Sequence, residues 1–199
     1  MLFAPSAERN VEPICQAVKS IAPKAGEVLE IASGTGQHIV ALAAAMPYLQ
    51  WYPTEIDPIR RASIKAYIKE AACNNIAPPI ELNATQAGWS VTTAPKTMIT
   101  LVNLLHLISE PETEILIDEA AQTLSQGGKL FLYGPFKRNG MLTSEGDARF
   151  DASIRENDPE TGYKGDTWVI NKANDYGLSL DQTLDMPSNN LALVFSKRT

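Results

Sequence analysis

A glycine turn at residues 32–36 follows an apolar strand at 28–31 and opens a helix at 37–46. A strand, a tight turn and a helix in this order are typical of α/β proteins. Gly34 and Gly36 let the backbone adopt unusual angles and pass close to a ligand. In such units ligands bind beyond the carboxyl end of the strand, against free N–H groups at the helix start. The turn therefore predicts a binding site in an α/β sheet.

The same alternation of strands and helices continues through the first two thirds of the chain. It predicts strands at 50–56, 80–82, 97–102 and 129–133, and helices at 7–21, 58–72 and 112–124. Pro53 fits poorly inside the second strand. The last third predicts helices at 145–156 and 167–176, then strands at 179–184 and 191–196. A short turn joins those two strands, so they should pair antiparallel beside an otherwise parallel sheet.

Composition narrows the classes of protein that remain. The 199 residues carry a formal net charge of −6, which argues against a surface that neutralises nucleic-acid phosphates. The longest apolar run, residues 39–46, is far shorter than the ~20 residues that a membrane helix needs. The N-terminus lacks a secretory pattern, and Cys15 and Cys73 lack a metal-type spacing. We expect one cytoplasmic domain over residues 1–199, monomeric or homodimeric, with no nucleic-acid or membrane partner and no metal.

Two common phosphate-binding motifs do not fit the glycines of this chain, neither the turn at residues 32–36 nor the pair Gly127 and Gly128. A dinucleotide fingerprint that starts at Gly34 and Gly36 needs a third glycine where Ile39 stands. A phosphate loop needs a serine or threonine after its lysine, but Lys129 is followed by Leu130. Neither a nicotinamide dinucleotide nor a nucleoside triphosphate is favoured.

Residues 30–36 resemble the first motif of class I S-adenosylmethionine (SAM)-dependent methyltransferases, E/D-x-G-x-G-x-G, with Ala32 in place of the first glycine. This resemblance implies SAM as cofactor and a Rossmann-like class I methyltransferase fold. Its seven-stranded, mostly parallel sheet has the order 3-2-1-4-5-7-6, an antiparallel C-terminal strand and helices on both faces. Glu30 would organise the turn and the methionine ammonium group of the cofactor. The implied turn residues are Ala32, Ser33, Gly34 and Gly36.

Later positions extend the resemblance around the cofactor. Glu55 stands 21 positions after Gly34, near the ~20 expected for a carboxylate that binds ribose. Asp57 competes for this role, but Pro58 follows it, which favours Asp57 as a helix cap. Ile56 would lie beside the cofactor as well.

Two further strand ends complete the implied cofactor site. Asn83 and Ala84 follow the third predicted strand, where the family reads the adenine edge and commonly has Asp in place of Asn. Asn103 and Leu104 follow the fourth strand, beside the methionine moiety and its methyl group.

The similarity narrows to one small family and covers nearly the whole chain. The chain resembles the uncharacterised methyltransferase family that includes methyltransferase-like protein 26. The shared strings are A-E-R-N at 7–10, S-G-T-G-Q-H at 33–38, Y-G-P-F at 133–136, F-D at 150–151 and P-S-N-N at 187–190. Besides Asn83, two positions depart from the family pattern: Asp147 stands where Asn is common, and Lys164 where Arg is common. Both lie in a lid-like insertion predicted at about 136–166, and a cap helix is predicted at about 7–22.

Candidate catalytic residues lie beside these motifs. His106 follows the fourth strand and can serve as a general base for a hydroxyl or thiol acceptor, or as a structural histidine. Tyr133 ends the fifth strand and can orient an acceptor or simply pack. Arg9 and Asn10 can fold back over the cofactor, with Arg9 paired to its carboxylate or to a surface acid. His38 should pack against the N-terminal segment.

We therefore predict a SAM-dependent methyltransferase that acts on a small-molecule acceptor. Phe150, Tyr163 and Trp168 could cover the acceptor pocket or pack within the lid. A SAM-binding or S-adenosylhomocysteine (SAH)-binding protein without catalysis, a protein methyltransferase and a nicotinamide oxidoreductase remain as alternatives.

Overall fold

The computed structural model describes residues 1–93 and 95–198, and the predicted alternation of helices and strands is present there. Its first two thirds contain α1 (Pro5–Ile21), β1 (Gly26–Ile31), α2 (Gln37–Ala45), β2 (Leu49–Pro53), α3 (Pro58–Ala71), β3 (Lys96–Val102), α4 (Glu110–Thr123) and β4 (Leu124–Lys137). The last third contains α5 (Glu145–Asn157), β5 (Lys164–Gly165), α6 (Asp166–Asp175), β6 (Leu178–Asp185) and β7 (Asn190–Lys197). Short 3-10 turns lie at Trp89–Val91 and Leu105–Leu107.

The sheet has the order β2-β1-β3-β4-β7-β6, with β5 paired to the end of β4. Strands β1 to β4 run parallel, and β7 is antiparallel to both of its neighbours. This confirms the predicted Rossmann-like order for six of the seven predicted strands. Strand β2 ends at Pro53 rather than at residue 56.

The predicted strand at residues 80–82 is wrong. This segment makes only an isolated bridge between Thr54 and Ile80, and a second bridge joins Trp51 to Ile76. Pro78 and Pro79 stand between these bridges and lack the N–H groups that a continuous ladder requires. The seventh strand of the sheet is instead β5, which the sequence pattern did not predict.

Helices cover both faces of the sheet, as predicted. On one face, side chains of β1, β3 and β4 pack against α4 and α6, with a core that includes Leu29, Ile99, Leu116, Leu130 and Val169. On the other face the same strands pack against α1, α2 and α3, with a core that includes Ile14, Val28, Ile39, Ile64 and Met98. The carboxyl ends of β1, β2 and β3 therefore open at one edge of the sheet, where the glycine turn lies. No helix in the described ranges is long and apolar enough to cross a membrane.

The close approach of α2 and α3 depends on Gly36. Its φ is 98°, and a Cβ there would lie 2.9 Å from the Ile64 Cα. We expect Gly36→Ala to cost about 2–5 kcal/mol of unfolding free energy, the sum of backbone strain and overpacking. Gly88 is the matched control, because its φ is 100° and nothing lies within 4 Å of its added Cβ. Gly88→Ala should cost only about 1–2 kcal/mol in urea unfolding. Equal losses in the two variants would contradict the packing argument.

Candidate functional site

The glycine turn at the end of β1 has an unusual backbone. Ala32 has a φ of 52°, Gly34 a φ of 58° and Gly36 a φ of 98°. Only Ala32 carries a side chain in this left-handed region, at the position where the motif has its first glycine. The N–H group of Ser33 donates to the Thr54 carbonyl over 2.8 Å, so the turn is fastened to the end of β2. The three left-handed residues fold the turn back over the edge of the sheet.

Glu55 holds this turn from the neighbouring strand end. Its Oε2 accepts from the Gly34 N–H over 2.9 Å, and its Oε1 accepts from the Asp57 N–H over 3.1 Å. The side chain is buried. Asp57 caps α3 by accepting from the Ile59 N–H over 2.7 Å, which confirms its predicted role as a helix cap. Ile56, between the two acids, is exposed.

Glu30 is a buried carboxylate without a counterion among the described residues. It lies at the end of β1, and its Oε2 has no hydrogen-bond partner there. Burial raises the pKa of Glu30 to about 8, with Ser33 lowering it and the nearby Glu55 raising it further. An orphaned buried carboxylate next to a second carboxylate favours a bound cation.

Glu30 and the glycine turn line a cleft of about 220 Å³. Six predicted cofactor residues lie in its wall: Glu30, Ala32, Ser33, Gly34, Asn103 and Leu104. Asn103 has a φ of 57° and donates its N–H to the Tyr133 carbonyl over 2.8 Å, which links the ends of β3 and β4. The N-terminal segment supplies a wall that the strand-end motifs do not include: Ala4, Ser6 and Ala7. These small residues carry no spacing signal, and only the packing of α1 brings them to the cleft.

Gly36, Glu55, Ile56, Asn83 and Ala84 lie outside the wall of this cleft. Gly36 and Glu55 shape the cleft indirectly, because Gly36 ends the turn and Glu55 accepts from the Gly34 N–H. Asn83 instead lines a separate cavity of about 500 Å³, near Tyr52 and Trp89.

The side chain of Asn83 is already used in a local turn. Its Oδ1 accepts from the N–H and the hydroxyl of Thr85, over 3.1 and 2.8 Å. Ala84 is buried, and its carbonyl accepts from the Trp89 indole. A role for Asn83, Ala84 and Ile56 in binding adenine stays a prediction.

A larger cavity of about 670 Å³ adjoins the cleft. The two share three lining residues: Ser6, Asn103 and Leu107. The role of Arg9 and Asn10 over the cofactor stays a prediction. Both residues line this larger cavity and not the cleft. The reason is the start of α1 at Pro5, which carries residues 9 and 10 one helical turn beyond the cleft.

His106 lies in the wall of the larger cavity, in the 3-10 turn after β3. Neither ring nitrogen hydrogen-bonds to another described residue, and Nδ1 is buried near Gly134. Burial, and to a lesser extent the charge of Lys164, lowers the pKa of His106 to about 4. The imidazole is therefore neutral near pH 7 and can accept a proton or a hydrogen bond.

Tyr133 and Asn10 lie at the boundary between the cavity and the core. Burial raises the pKa of Tyr133, and the Asn10 amide only partly offsets this. The Tyr133 hydroxyl makes no well-formed hydrogen bond to the described residues. His38 Nε2 lies 2.8 Å from Asn10 Oδ1, so His38 packs against the N-terminal helix as predicted. Because burial lowers the pKa of His38 to about 4, its neutral ring donates to that oxygen and leaves the Asn10 NH₂ free to donate.

The insertion between β4 and α6 covers the larger cavity. Phe150 on α5 and Tyr163 line it, and their ring centroids lie 6.2 Å apart. Trp168 does not: it packs against the core on the α6 side, near Lys172.

Asp147 fastens the insertion to the β6–β7 turn. It accepts from the Tyr163 hydroxyl over 3.3 Å and from Asn189 Nδ2 over 3.2 Å. It also accepts from the hydroxyls of Thr143 and Ser144.

No group of His, Cys, Asp and Glu suited to a metal ion is found in the described part of the chain.

The sheet order and the left-handed turn define a Rossmann-like methyltransferase fold. An O-methyltransferase family protein from Burkholderia thailandensis is similar with a TM-score of 0.81 at 17% identity, over 94% of this chain and 56% of that one. A putative methyltransferase from Bacillus halodurans C-125 gives 0.73 at 14%, over 93% and 99%. The SAH-bound form of CalO1, a methyltransferase in calicheamicin biosynthesis, gives 0.76 at 14%, over 96% and 53%. This chain thus spans about half the length of two of these proteins.

The family itself follows from a match along the sequence. The family model described as "Protein of unknown function (DUF938)" matches residues 1–197, and the chain belongs to that family. The family description states no activity. At 14–17% identity, the solved structures establish the fold alone.

The raised pKa of Glu30 gives stability a measurable pH dependence. The folded state holds a proton that the unfolded state has lost above its ordinary pKa, so stability should fall as pH rises from 4.5 to about 8. His38 and His106 oppose this below pH 6.5, because their lowered pKa values leave the unfolded state with more protons. Between pH 6.5 and 8 we expect a loss of about 1–2 kcal/mol in urea unfolding.

Glu30→Gln should flatten that slope, because the amide does not titrate. Glu8→Gln, an exposed acid on α1, is the control and should keep the wild-type slope. An unchanged slope in Glu30→Gln would contradict the assignment of the titrating group.

Proposed function

We propose that the protein is a SAM-dependent methyltransferase for a small-molecule acceptor. The observation that carries the proposal is the buried Glu30 carboxyl group, which has one oxygen without a partner among the described residues. It lies in a cleft that opens into a larger, lid-covered cavity. A cationic cofactor fits the cleft, and an acceptor fits the cavity beside it. The solved structures support this through their fold, since their names describe methyltransferases and one holds SAH.

The residues present suit SAM. Glu30 would pair with its methionine ammonium group, and the backbone of the turn at residues 32–34 would lie against the methionine part. Glu55 retains free lone pairs after its two backbone contacts, and these would accept from the ribose hydroxyls. Asn103 and Leu104 would lie beside the methyl group, where the cleft meets the cavity.

When bound, SAM supplies a methyl group on a positively charged sulfur, and transfer breaks the carbon–sulfur bond, leaves its electron pair on sulfur and forms a bond to the acceptor atom. The protein must then position the acceptor and exclude water, which supplies on the order of 7–11 kcal/mol. His106 lines the acceptor cavity, and its neutral imidazole would accept a hydrogen bond from an acceptor hydroxyl. It would take the proton of that hydroxyl as a general base of low pKa. Nε2 is the nitrogen for this role, because Nδ1 is buried near Gly134. Tyr133 would orient the acceptor.

The cofactor is tested by thermal unfolding with SAM, SAH, NAD and NADP added separately. At 100 times its dissociation constant, a ligand stabilises the folded state by ~2.7 kcal/mol, which raises the melting temperature by several degrees. We expect a shift with SAM and SAH only. A shift with a nicotinamide nucleotide alone would overturn the proposal. Binding of SAH without methyl transfer to any small molecule would favour a non-catalytic binding protein or a protein substrate.

Proton release provides a sharper test of Glu30. At pH 7 the carboxyl of the free protein is mostly protonated, and an ammonium partner requires the ionised form. Calorimetric titration with SAM in buffers of different ionisation enthalpy should show release of about one proton. Glu30→Gln should weaken binding and abolish the release, whereas Glu8→Gln should change neither. Release of a full proton from Glu30→Gln would exclude Glu30 as the source.

A further inference from the structure

We propose that the acceptor is a small phenolic carboxylic acid, and that Arg9 binds its carboxylate. This inference rests on the proposed function, because it assigns the larger cavity to the acceptor. It names a substrate class and an acceptor-binding residue that neither the family description nor the structural neighbours supply.

The first observation is the charge of the cavity wall. Its thirteen lining residues include one formally charged side chain, Arg9, and no carboxylate. The chain as a whole carries a net charge of −6, whereas this wall carries one positive charge and no carboxylate. Arg9 is exposed and makes no ion pair or side-chain hydrogen bond with any described residue. A guanidinium group suits bidentate binding of a carboxylate.

The second observation is the position of Arg9 on α1. Ala4, Ser6 and Ala7 line the cofactor cleft, whereas Arg9 lines only the adjoining cavity. An anion bound by Arg9 would therefore lie with the acceptor and not with the cofactor.

The third observation is the apolar and aromatic part of the same wall. Phe150 is 47% exposed and Leu107 is 52% exposed, so each keeps about half of a large apolar side chain uncovered. The rings of His106, Phe150 and Tyr163 have centroids 5.8–6.2 Å apart and are tilted against one another. A flat apolar ring in the cavity would cover these surfaces and pack edge-to-face with them.

The fourth observation is the polar group within the ring cluster itself. His106 contributes a neutral imidazole to the wall, and Asn103 joins the cavity to the cofactor cleft. A hydroxyl placed between them would lie near both the proton acceptor and the methyl donor. A hydroxyl and a carboxylate on one aromatic ring satisfy His106 and Arg9 together.

The test compares three probes of nearly equal size: 4-hydroxybenzoate, 4-hydroxybenzamide and 4-hydroxybenzylamine. Each is titrated calorimetrically into the full chain at about pH 7.5, with and without saturating SAH. We expect the carboxylate to bind at least about tenfold more tightly than the neutral amide, and the amine to bind most weakly. Equal affinities, or no binding by any probe, would overturn the proposal.

Variants assign the preference to Arg9. Arg9→Met should remove the preference for the carboxylate and leave SAH affinity unchanged, while Arg9→Lys should keep part of it. Arg149→Met is the matched control, since Arg149 is an exposed arginine on α5, paired with Glu145 and outside the cavity wall. It should keep the wild-type preference. Melting temperatures confirm that each variant is folded.

The possible failures are distinguishable. If Arg9→Met loses SAH affinity instead, Arg9 binds the cofactor and the acceptor inference is wrong, although the proposed function stands. If wild type binds no SAH but still prefers the carboxylate through Arg9, the anion site stands and the proposed cofactor is wrong.

Discussion

The hydrogen bond from the Gly34 N–H to Glu55 is the interaction on which the site depends. It joins the turn after β1 to the end of β2, beside the backbone bond from Ser33 to Thr54. Three left-handed residues make the turn costly as an isolated segment, and Ala32 has to adopt this conformation with a Cβ. A buried acceptor on the neighbouring strand offsets that cost. The turn therefore keeps its shape only within the assembled sheet.

This arrangement places two carboxylates close together in the core. Both oxygens of Glu55 accept hydrogen bonds from backbone N–H groups, but Glu30 has an oxygen with no partner among the described residues. A buried acid in this state opposes folding at neutral pH, and the fold tolerates it because the rest of both cores is well packed. A buried polar atom without a partner is typical of binding sites, where a ligand supplies the missing partner.

The sequence predicts the part of this site that is built from residues at the ends of strands. Glu30 lies at the end of a strand, and Gly34, Glu55 and Asn103 follow strands. Parallel strands bring their carboxyl ends together, so the order of strands and the family resemblance together indicate the assembly of these residues. Residues 80–82 fail as a strand because two prolines precede them, a signal visible in the sequence but outweighed by the expected alternation. The positions of Arg9, Ser6 and β5 depend on how α1 and the insertion pack, and no local spacing encodes that packing.

The division of charge between the two cavities has a consequence for catalysis. The buried acid of the cleft is Glu30. Arg60 also lies in the wall of the cleft, and it is 4.0 Å from Asp57, an acid that can balance its charge. The adjoining cavity offers Arg9, and the residues shared between the two are neutral. The cleft would therefore favour a cationic group, and the adjoining cavity would favour an anionic one. Methyl transfer removes the charge on sulfur and leaves the charge of the ammonium group unchanged. In the proposed function, Glu30 paired with that ammonium group would therefore hold the cofactor without opposing the reaction directly. Arg9 would hold a carboxylate that the reaction leaves unchanged, and its distance from the reacting oxygen would set which hydroxyl of the acceptor is methylated.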